Sequence, residues 1–235
     1  MKFKNNIFFG LTLIGLILLS AFAHQQNKLR EIGHISIDFK SDGPKFLSHS
    51  TVNKLLIQNI GELSCETKDS LDLIKLEALL ENTPYIFNAE VFCFPEGTLG
   101  INILEKKPLV MIKGDNTYYL DNFGSEFPIS KSYSPLVPVF IGELNSFDKK
   151  NLLALVNFFN EDPFLKSELK TIYHKSNSFF VGLRSYDFEV EIGSISMTSD
   201  KLLKLKVFCA YQDNNELEKK YKLISLKYKN QIVGS

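Results

Sequence analysis

An uncharged, apolar run near the amino end constrains the fold of this chain more than any other feature. It extends over 17 residues, 7–23, without an ionisable side chain, and Lys2 and Lys4 precede it. As an α-helix it spans roughly 25 Å, slightly less than a membrane hydrocarbon core of about 30 Å. Helices of soluble cores are usually polar on one face, whereas this run is apolar on every face. It therefore predicts a segment that enters or crosses a membrane.

The residues alone leave two interpretations of this run open. The lysines before it favour a cytoplasmic amino end, with everything after about residue 24 on the other side of the membrane. Ala21-Phe22-Ala23, however, matches the A-x-A pattern of a signal-peptide cleavage site. The run is thus either a retained anchor or a cleaved signal, and both interpretations export the rest of the chain.

The composition is that of a folded protein without a marked chemical specialisation. Hydrophobic residues make up 44% and charged residues 23% of the chain, which argues against disorder. Lys+Arg and Asp+Glu number 27 each, and no long basic run occurs, which argues against nucleic-acid binding. No P-loop, Rossmann, zinc-protease or serine-hydrolase motif is present, and the four histidines lack ligand spacing. We expect no catalytic residues, cofactor, metal or small-molecule substrate.

The three cysteines match neither a disulfide framework nor a paired zinc motif. An oxidising compartment permits a bond between Cys65 and Cys93. Cys93 alternates with apolar residues, however, and also fits a small buried thiol. Cys209 fits a core position of a helix. Whether Cys65 and Cys93 pair stays open.

The hydrophobic pattern predicts mixed α and β structure along the rest of the chain. The first half predicts a strand at 35–39, helices at 52–60 and 69–82, and strands at 89–94 and 98–103. The second half predicts short strands over 109–142, helices at 152–159 and from Ser199, and strands at 169–173, 179–184, 188–192, 221–228 and 231–233. Glu189 and Glu191 face outward on one of these strands. The first half therefore has the order β-α-α-β-β.

Four stretches, in chain order, resemble a known family. They are Leu71–Glu77 with Asn82–Val91, Gly97–Ile103 with Lys107–Val110, Tyr118–Gly124 with Phe127–Ser130, and Ile224–Val233. The first two resemble the POTRA module of the bacterial cell-division family FtsQ/DivIB. The first stretch is similar to its helix and the following "Pro-Tyr-Val-x-x-Ala-x-Val" motif, and the second is similar to its "Gly-x-Leu-x-Ile…Arg-x-Pro-Val" motif. The third looks most like Bacteroidota members, and the fourth is similar to the terminal "Asp-Leu-Arg-Tyr-x-Asn" strand. Ser225 departs from the usual Asp, and lysines at 107 and 227 replace Arg.

The resemblance implies an α+β protein. A single transmembrane helix would be followed by a POTRA-like β-α-α-β-β module and then a mainly antiparallel β-rich domain with two helices. The expected segments are a cytoplasmic end at 1–6, a transmembrane helix at 7–23, a linker at 24–31, the POTRA-like module at 32–108 and the β domain at 109–235. The family keeps its apolar segment, so the resemblance favours the anchor. It implies an inner (plasma) membrane protein at the division septum, with a cytoplasmic amino end and periplasmic domains.

The same resemblance implies a non-enzymatic scaffold of the divisome. Its expected partners are FtsB- and FtsL-like coiled-coil proteins and other division proteins, through which it would help regulate septal peptidoglycan synthesis. The expected contacts lie on the terminal strand, because an unpaired sheet edge can accept an extended partner strand. The contact residues are Ile224, Ser225, Leu226, Lys227, Tyr228, Lys229 and Asn230. Ile224, Leu226 and Tyr228 would share one face, with Tyr228 as the aromatic anchor.

The sequence is also compatible with two other classes of protein. A POTRA-bearing outer-membrane or export assembly factor would hold unfolded strands, although this chain lacks the strand repeats of a membrane barrel. A cleaved periplasmic enzyme is the other class, and a retained amino-terminal peptide would exclude it.

Overall fold

The computed structural model describes residues 2–28, 32–41, 43, 45–60, 71–214, 221–229 and 231–235. The chain divides into two compact units, Met1–Lys106 and Lys107–Ser235. The described residues form six helices and twelve strands, a mixed α+β composition as predicted.

Helix α1 (Lys2–Lys28) contains the predicted apolar run. Within the described ranges it is the one helix long and apolar enough to cross a membrane, over Phe8–Gln25 with a mean hydropathy of 1.7. No part of this window is buried in the protein. A long helix that keeps its apolar side chains out of the core is compatible with a single-pass anchor, since a helix satisfies its own backbone hydrogen bonds in lipid.

The first unit continues with a small sheet covered by two helices. Its elements are β1 (His34–Phe39), α2 (His49–Ile60), α3 (Leu73–Glu81), β2 (Ile86–Cys93) and β3 (Thr98–Glu105). They follow the predicted β-α-α-β-β order. The three strands lie in the order β1-β3-β2, with β1 parallel and β2 antiparallel to β3.

Alternation along β3 explains how this unit packs. Leu99, Ile101 and Ile103 are almost completely buried, and they share a core with Leu56 of α2 and Leu80 of α3. Burying each such side chain contributes about 1.5–3 kcal/mol. The core therefore lies on one face of the sheet, and the other face carries no helix of the described residues.

The second unit is built on a large mixed sheet. Its elements are β4 (Pro108–Lys113), β5 (Thr117–Asp121), β6 (Glu126–Pro128), β7 (Val139–Ile141), α4 (Ser146–Asn160), α5 (Pro163–Glu168), β8 (Leu169–Lys175), β9 (Ser178–Leu183), β10 (Glu189–Gly193), α6 (Thr198–Asn214), β11 (Leu223–Ser225) and β12 (Val233–Gly234). The nine strands lie in the order β12-β11-β10-β9-β8-β7-β4-β5-β6. Most neighbours are antiparallel, as predicted, while β4–β7, β7–β8 and β10–β11 are parallel.

One row of buried side chains crosses this sheet and forms the base of its core. The row consists of Ile112, Phe140, Ile172, Val181, Val190 and Ile224. Leu155 of α4 and Leu205 of α6 belong to the same core cluster. Cys209 is also fully buried, and burial raises the pKa of its thiol to about 11. This cysteine is therefore a protonated core residue, in agreement with the helix-core position expected for it.

The structure corrects two predictions about the second unit. Two helices were expected, but its described residues hold three, because Asp162 accepts hydrogen bonds from Phe164 N and Leu165 N and begins α5. The terminal strand was expected at 221–228, but β11 contains only Leu223–Ser225.

Of the two cysteines that the sequence could pair, Cys65 and Cys93, the structure describes one. Cys65 lies outside the described residues. Cys93 lies half-buried at the end of β2 and packs against the core.

Candidate functional site

The carboxyl-terminal end of the large sheet is the candidate functional site. Strand β12 ends the strand order and pairs antiparallel with β11, through Ile224–Gly234 and Ser225–Val233. Ser235 and Leu223 exchange backbone hydrogen bonds of 3.0 and 3.2 Å. Because such bonds alternate along an antiparallel pair, the backbone N–H and C=O of Gly234 point away from β11. In the described part of the chain, no strand lies on that outer side.

The predicted contact residues fall into two groups. Ile224 and Leu226 are fully buried in the core, and Ser225 is 8% exposed. Lys227, Tyr228 and Lys229 are exposed, and Asn230 lies outside the described residues.

The expected strand face of Ile224, Leu226 and Tyr228 does not form. Strand β11 ends at Ser225, and Tyr228 lies in the connection that leads to β12. The side chain of Tyr228 is 51% exposed, whereas the other two residues are buried. Ile224 and Leu226 therefore anchor the end of the chain to the core, and the exposed side chains belong to residues 227–229.

Glu191 of β10 holds this segment on the face of the sheet opposite the core. Its carboxylate accepts hydrogen bonds from Ser225 Oγ at 3.0 Å and from Lys227 Nζ at 2.6 Å. The hydrogen bond to Glu191 raises the pKa of Lys227 above its ordinary value. Lys227 is therefore a charged group with a fixed partner, which limits its freedom to reach another molecule.

Lys204 of α6 holds the next residues from the helix side. Its Nζ donates to the backbone carbonyl oxygens of Tyr228 at 2.7 Å and Lys229 at 3.2 Å. The backbone of the turn is thus fixed while the phenol ring of Tyr228 stays half-exposed. An aromatic side chain on a fixed backbone loses less conformational entropy on binding than one on a free loop.

Two glycines let the chain pass close to its neighbours at this site. Gly193 has φ +76°, and a Cβ there would lie 2.9 Å from Lys227 Cγ. A Cβ on Gly234 would lie 2.5 Å from Cδ1 of the Tyr221 ring. Strand β12 can therefore lie against Tyr221 only if its second residue has no side chain.

Sequence reasoning missed Glu191, Lys204 and Gly193 as parts of this site. The outward position of Glu191 was predicted, but its two donors come from a segment more than 30 residues away. Within the described residues, no group of three or more His, Cys, Asp or Glu side chains is placed to hold a metal ion. The arrangement presents a strand edge and an aromatic side chain, which are features of protein recognition.

Comparison with known proteins identifies the family to which the second unit is related. The family model "FtsQ/DivIB, C-terminal related" matches residues 107–235, the same residues that form the second compact unit. No curated protein matches the chain. The match covers more than half of the chain, so this protein belongs to the FtsQ/DivIB, C-terminal related, family of cell-division proteins.

Proposed function

We propose that this protein is a non-enzymatic scaffold of the bacterial divisome that binds FtsB- and FtsL-like coiled-coil proteins. Its family membership supports a role in cell division at a membrane. Helix α1 supports attachment to the inner membrane as a single-pass anchor, with residues 32–235 in the periplasm at the septum. Through its partners the scaffold helps regulate septal peptidoglycan synthesis.

We assign residues 32–108 to a POTRA-like module and residues 109–235 to a β domain. The β-α-α-β-β order, with β1 parallel to β3, supports the first assignment. The second unit contributes the partner-binding edge.

The open outer side of β12, together with a half-exposed Tyr228 on a fixed backbone in the connection before that strand, is the observation that carries the proposal. An extended segment of the partner pairs with the outward backbone groups of Gly234 and lengthens the sheet. The ring of Tyr228 contacts an apolar pocket of that segment, and exposed Lys229 favours acidic side chains nearby. Buried Ile224 and Leu226 act by positioning, together with Ser225. Lys227, Tyr228, Lys229 and Asn230 are the proposed contacts.

Photo-crosslinking in living cells tests the partner. A photoreactive amino acid replaces Tyr228, and mass spectrometry identifies the captured protein. Small single-span coiled-coil proteins are expected. Capture of an outer-membrane barrel or a nascent chain contradicts the scaffold and instead supports the assembly-factor class.

Substitution tests the role of the ring. Tyr228→Ala is expected to weaken binding of the FtsB-like partner about ten-fold or more, as for aromatic anchors in other interfaces. The matched control is Phe123→Ala, which removes an aromatic side chain that is 79% exposed beside β5, at the far end of the sheet. Equal affinity of Tyr228→Ala and wild-type protein contradicts the anchor role.

A further inference from the structure

The two outer strands of the small sheet in the first unit differ in how their edges are covered. On β2, Glu77 Oε1 accepts the backbone N–H of Val91 at 2.8 Å, and Glu81 Oε1 accepts that of Ala89 at 3.2 Å. Glu77 and Glu81 are one helical turn apart on α3, so both carboxylates reach the same strand. The two outward N–H donors at the middle of β2 are therefore already used.

Strand β1 has no such cover among the described residues. The inward hydrogen bond from Lys40 N to Ile103 O, 2.9 Å long, fixes which residues of β1 face β3. Successive residues of a strand turn their backbone N–H and C=O groups to opposite sides, so those of Ile35 and Ile37 point away from β3. Within the described ranges, nothing accepts or donates to them. The open edge therefore lies at the middle of β1.

The side chains of β1 alternate around this edge. His34, Ser36 and Asp38 are exposed on the face without helices, while Ile35 and Ile37 are half-buried against the core. Reversing the strand about Ser36 places Ile on Ile and brings the imidazole of His34 to the position of the carboxylate of Asp38. An antiparallel copy therefore places His34 opposite Asp38, Ile35 opposite Ile37, and Ser36 opposite Ser36.

We propose that a second copy of this chain pairs with β1 in this register and joins the two three-stranded sheets edge to edge. Ile35 of each copy exchanges backbone hydrogen bonds with Ile37 of the other, which uses the outward groups of both. Each His34 imidazole donates to the Asp38 carboxylate of the other copy. Hydrogen-bonded polar pairs and apolar pairs on facing residues favour such pairing, and the interface is isologous.

The neighbouring register is disfavoured because it loses the pair of His34 with Asp38. If the axis passed through Ile37, His34 would face Lys40 of the other copy, and Ser36 would face Asp38. The existing contact of Lys40 with Asp38 is 3.6 Å long, between side chains that are 53% and 68% exposed. Such a pair is weak, so Asp38 can accept His34 of a second copy.

Disulfide trapping of the full-length protein in its own membrane tests the pairing. In the proposed register, the two copies of Ser36 form a non-hydrogen-bonded pair with Cα atoms about 4.5 Å apart, within disulfide reach. Ser36→Cys is therefore expected to give a linked dimer, with the bond between the two substituted positions located by mass spectrometry. Asp38→Cys is the matched control, because its copies would lie about 14 Å apart. Equal yields for the two variants and wild-type protein, or capture of a different protein by the introduced thiol, overturn the proposal.

Two further changes on the Ser36→Cys background separate pairing from folding. Ile35→Pro removes an outward N–H together with the half-buried side chain of Ile35, so Ile35→Ala, which keeps that N–H, is its control. The dimer yield is expected to fall about ten-fold in Ile35→Pro and much less in Ile35→Ala, with similar thermal unfolding of the two variants. His34→Asp places two carboxylates opposite each other and lowers the yield. The exchange His34→Asp with Asp38→His restores the attraction and the yield. Failure of the exchange to restore the dimer, in a protein that unfolds like wild type, contradicts the register.

Discussion

Lys227 Nζ lies 2.6 Å from Glu191 Oε1, so a salt bridge joins β10 to the residues that follow β11. The same carboxylate accepts the hydroxyl of Ser225. Residues 225–229 are held by Glu191 on one side and by Lys204 on the other. The position of Tyr228 therefore depends on groups that are far from it in sequence.

Glu191→Ala is expected to weaken partner binding about five-fold, since losing a net hydrogen bond of about 1 kcal/mol loosens the segment that carries Tyr228. Binding of the FtsB-like partner to the full-length protein measures the effect. Glu189→Ala is the control, because Glu189 lies on the same strand and accepts the hydroxyl of Tyr173 at 2.8 Å instead. Equal losses for the two variants would show that the contact with residues 225–227 is not what matters.

Gly193→Ala is expected to destabilise the same region. The residue has φ +76°, which costs a residue with a Cβ about 1–2 kcal/mol. Its Cβ would also press on Lys227 Cγ. We expect a lower melting temperature and weaker partner binding together. Gly33→Ala, where a Cβ would meet no atom within 4 Å, should leave both unchanged.

Tyr173 gives the second unit a pH dependence on the alkaline side. Burial, and next the hydrogen bond to Glu189, raise the pKa of Tyr173 from 10.0 to about 12. Between these two values the folded protein keeps a proton that the unfolded chain has lost, so stability falls as pH rises through this window. In Tyr173→Phe, the slope of unfolding free energy against pH should be smaller by up to about one proton over that range. Parallel curves for the two proteins would contradict the raised pKa.

Glu105 gives the first unit a pH dependence on the acidic side. The residue is 5% exposed, its carboxylate accepts a hydrogen bond from Leu47 N at 2.8 Å, and burial raises its pKa above the ordinary 4.5. Since burial penalises the ionised form, stability should rise as pH falls from neutral through the folded pKa, and level off below 4.5.

Two substitutions of Glu105 separate its charge from its hydrogen bond. Glu105→Gln keeps an acceptor for Leu47 and should abolish this rise. Glu105→Ala leaves that N–H without its acceptor and should cost about 1–3 kcal/mol. Hydrogen exchange of residues 98–105 in the full-length protein follows both. If both variants still became more stable as the pH falls, the pH dependence would belong to another group.

Local patterns predicted most elements of the fold. The alternation of Ile35, Ile37 and Phe39 predicts a strand, and β1 runs from His34 to Phe39. The Asp162-Pro163 pair predicts a helix end, and α4 ends just before it. The same pair also begins α5, because Asp caps a helix and Pro fits its first position. The Asp-Pro pair therefore marks both the end of one helix and the start of the next.

The candidate site was less accessible to sequence reasoning. The pattern of Ile224, Leu226 and Tyr228 suits a strand, yet β11 ends at Ser225, and Leu226 N makes one more hydrogen bond, to Glu191 O, before the chain leaves the sheet. That turn depends on Lys204 and Glu191, whose contacts with it span more than 20 residues. Strand order and such long-range contacts carry no local signature, so the sequence pointed to the region but not to its geometry.

The carboxylates of Glu77 and Glu81 over β2 set a limit on assembly size. A sheet with two open edges can add further copies at both ends and so propagate into a fibre. Among the described residues the middle of β2 is already covered, so the pairing that we propose through β1 uses the open edge of the small sheet. Copies crowded on a membrane can then form pairs through this sheet without extending it into a fibre, because the proposed pairing is isologous and closed.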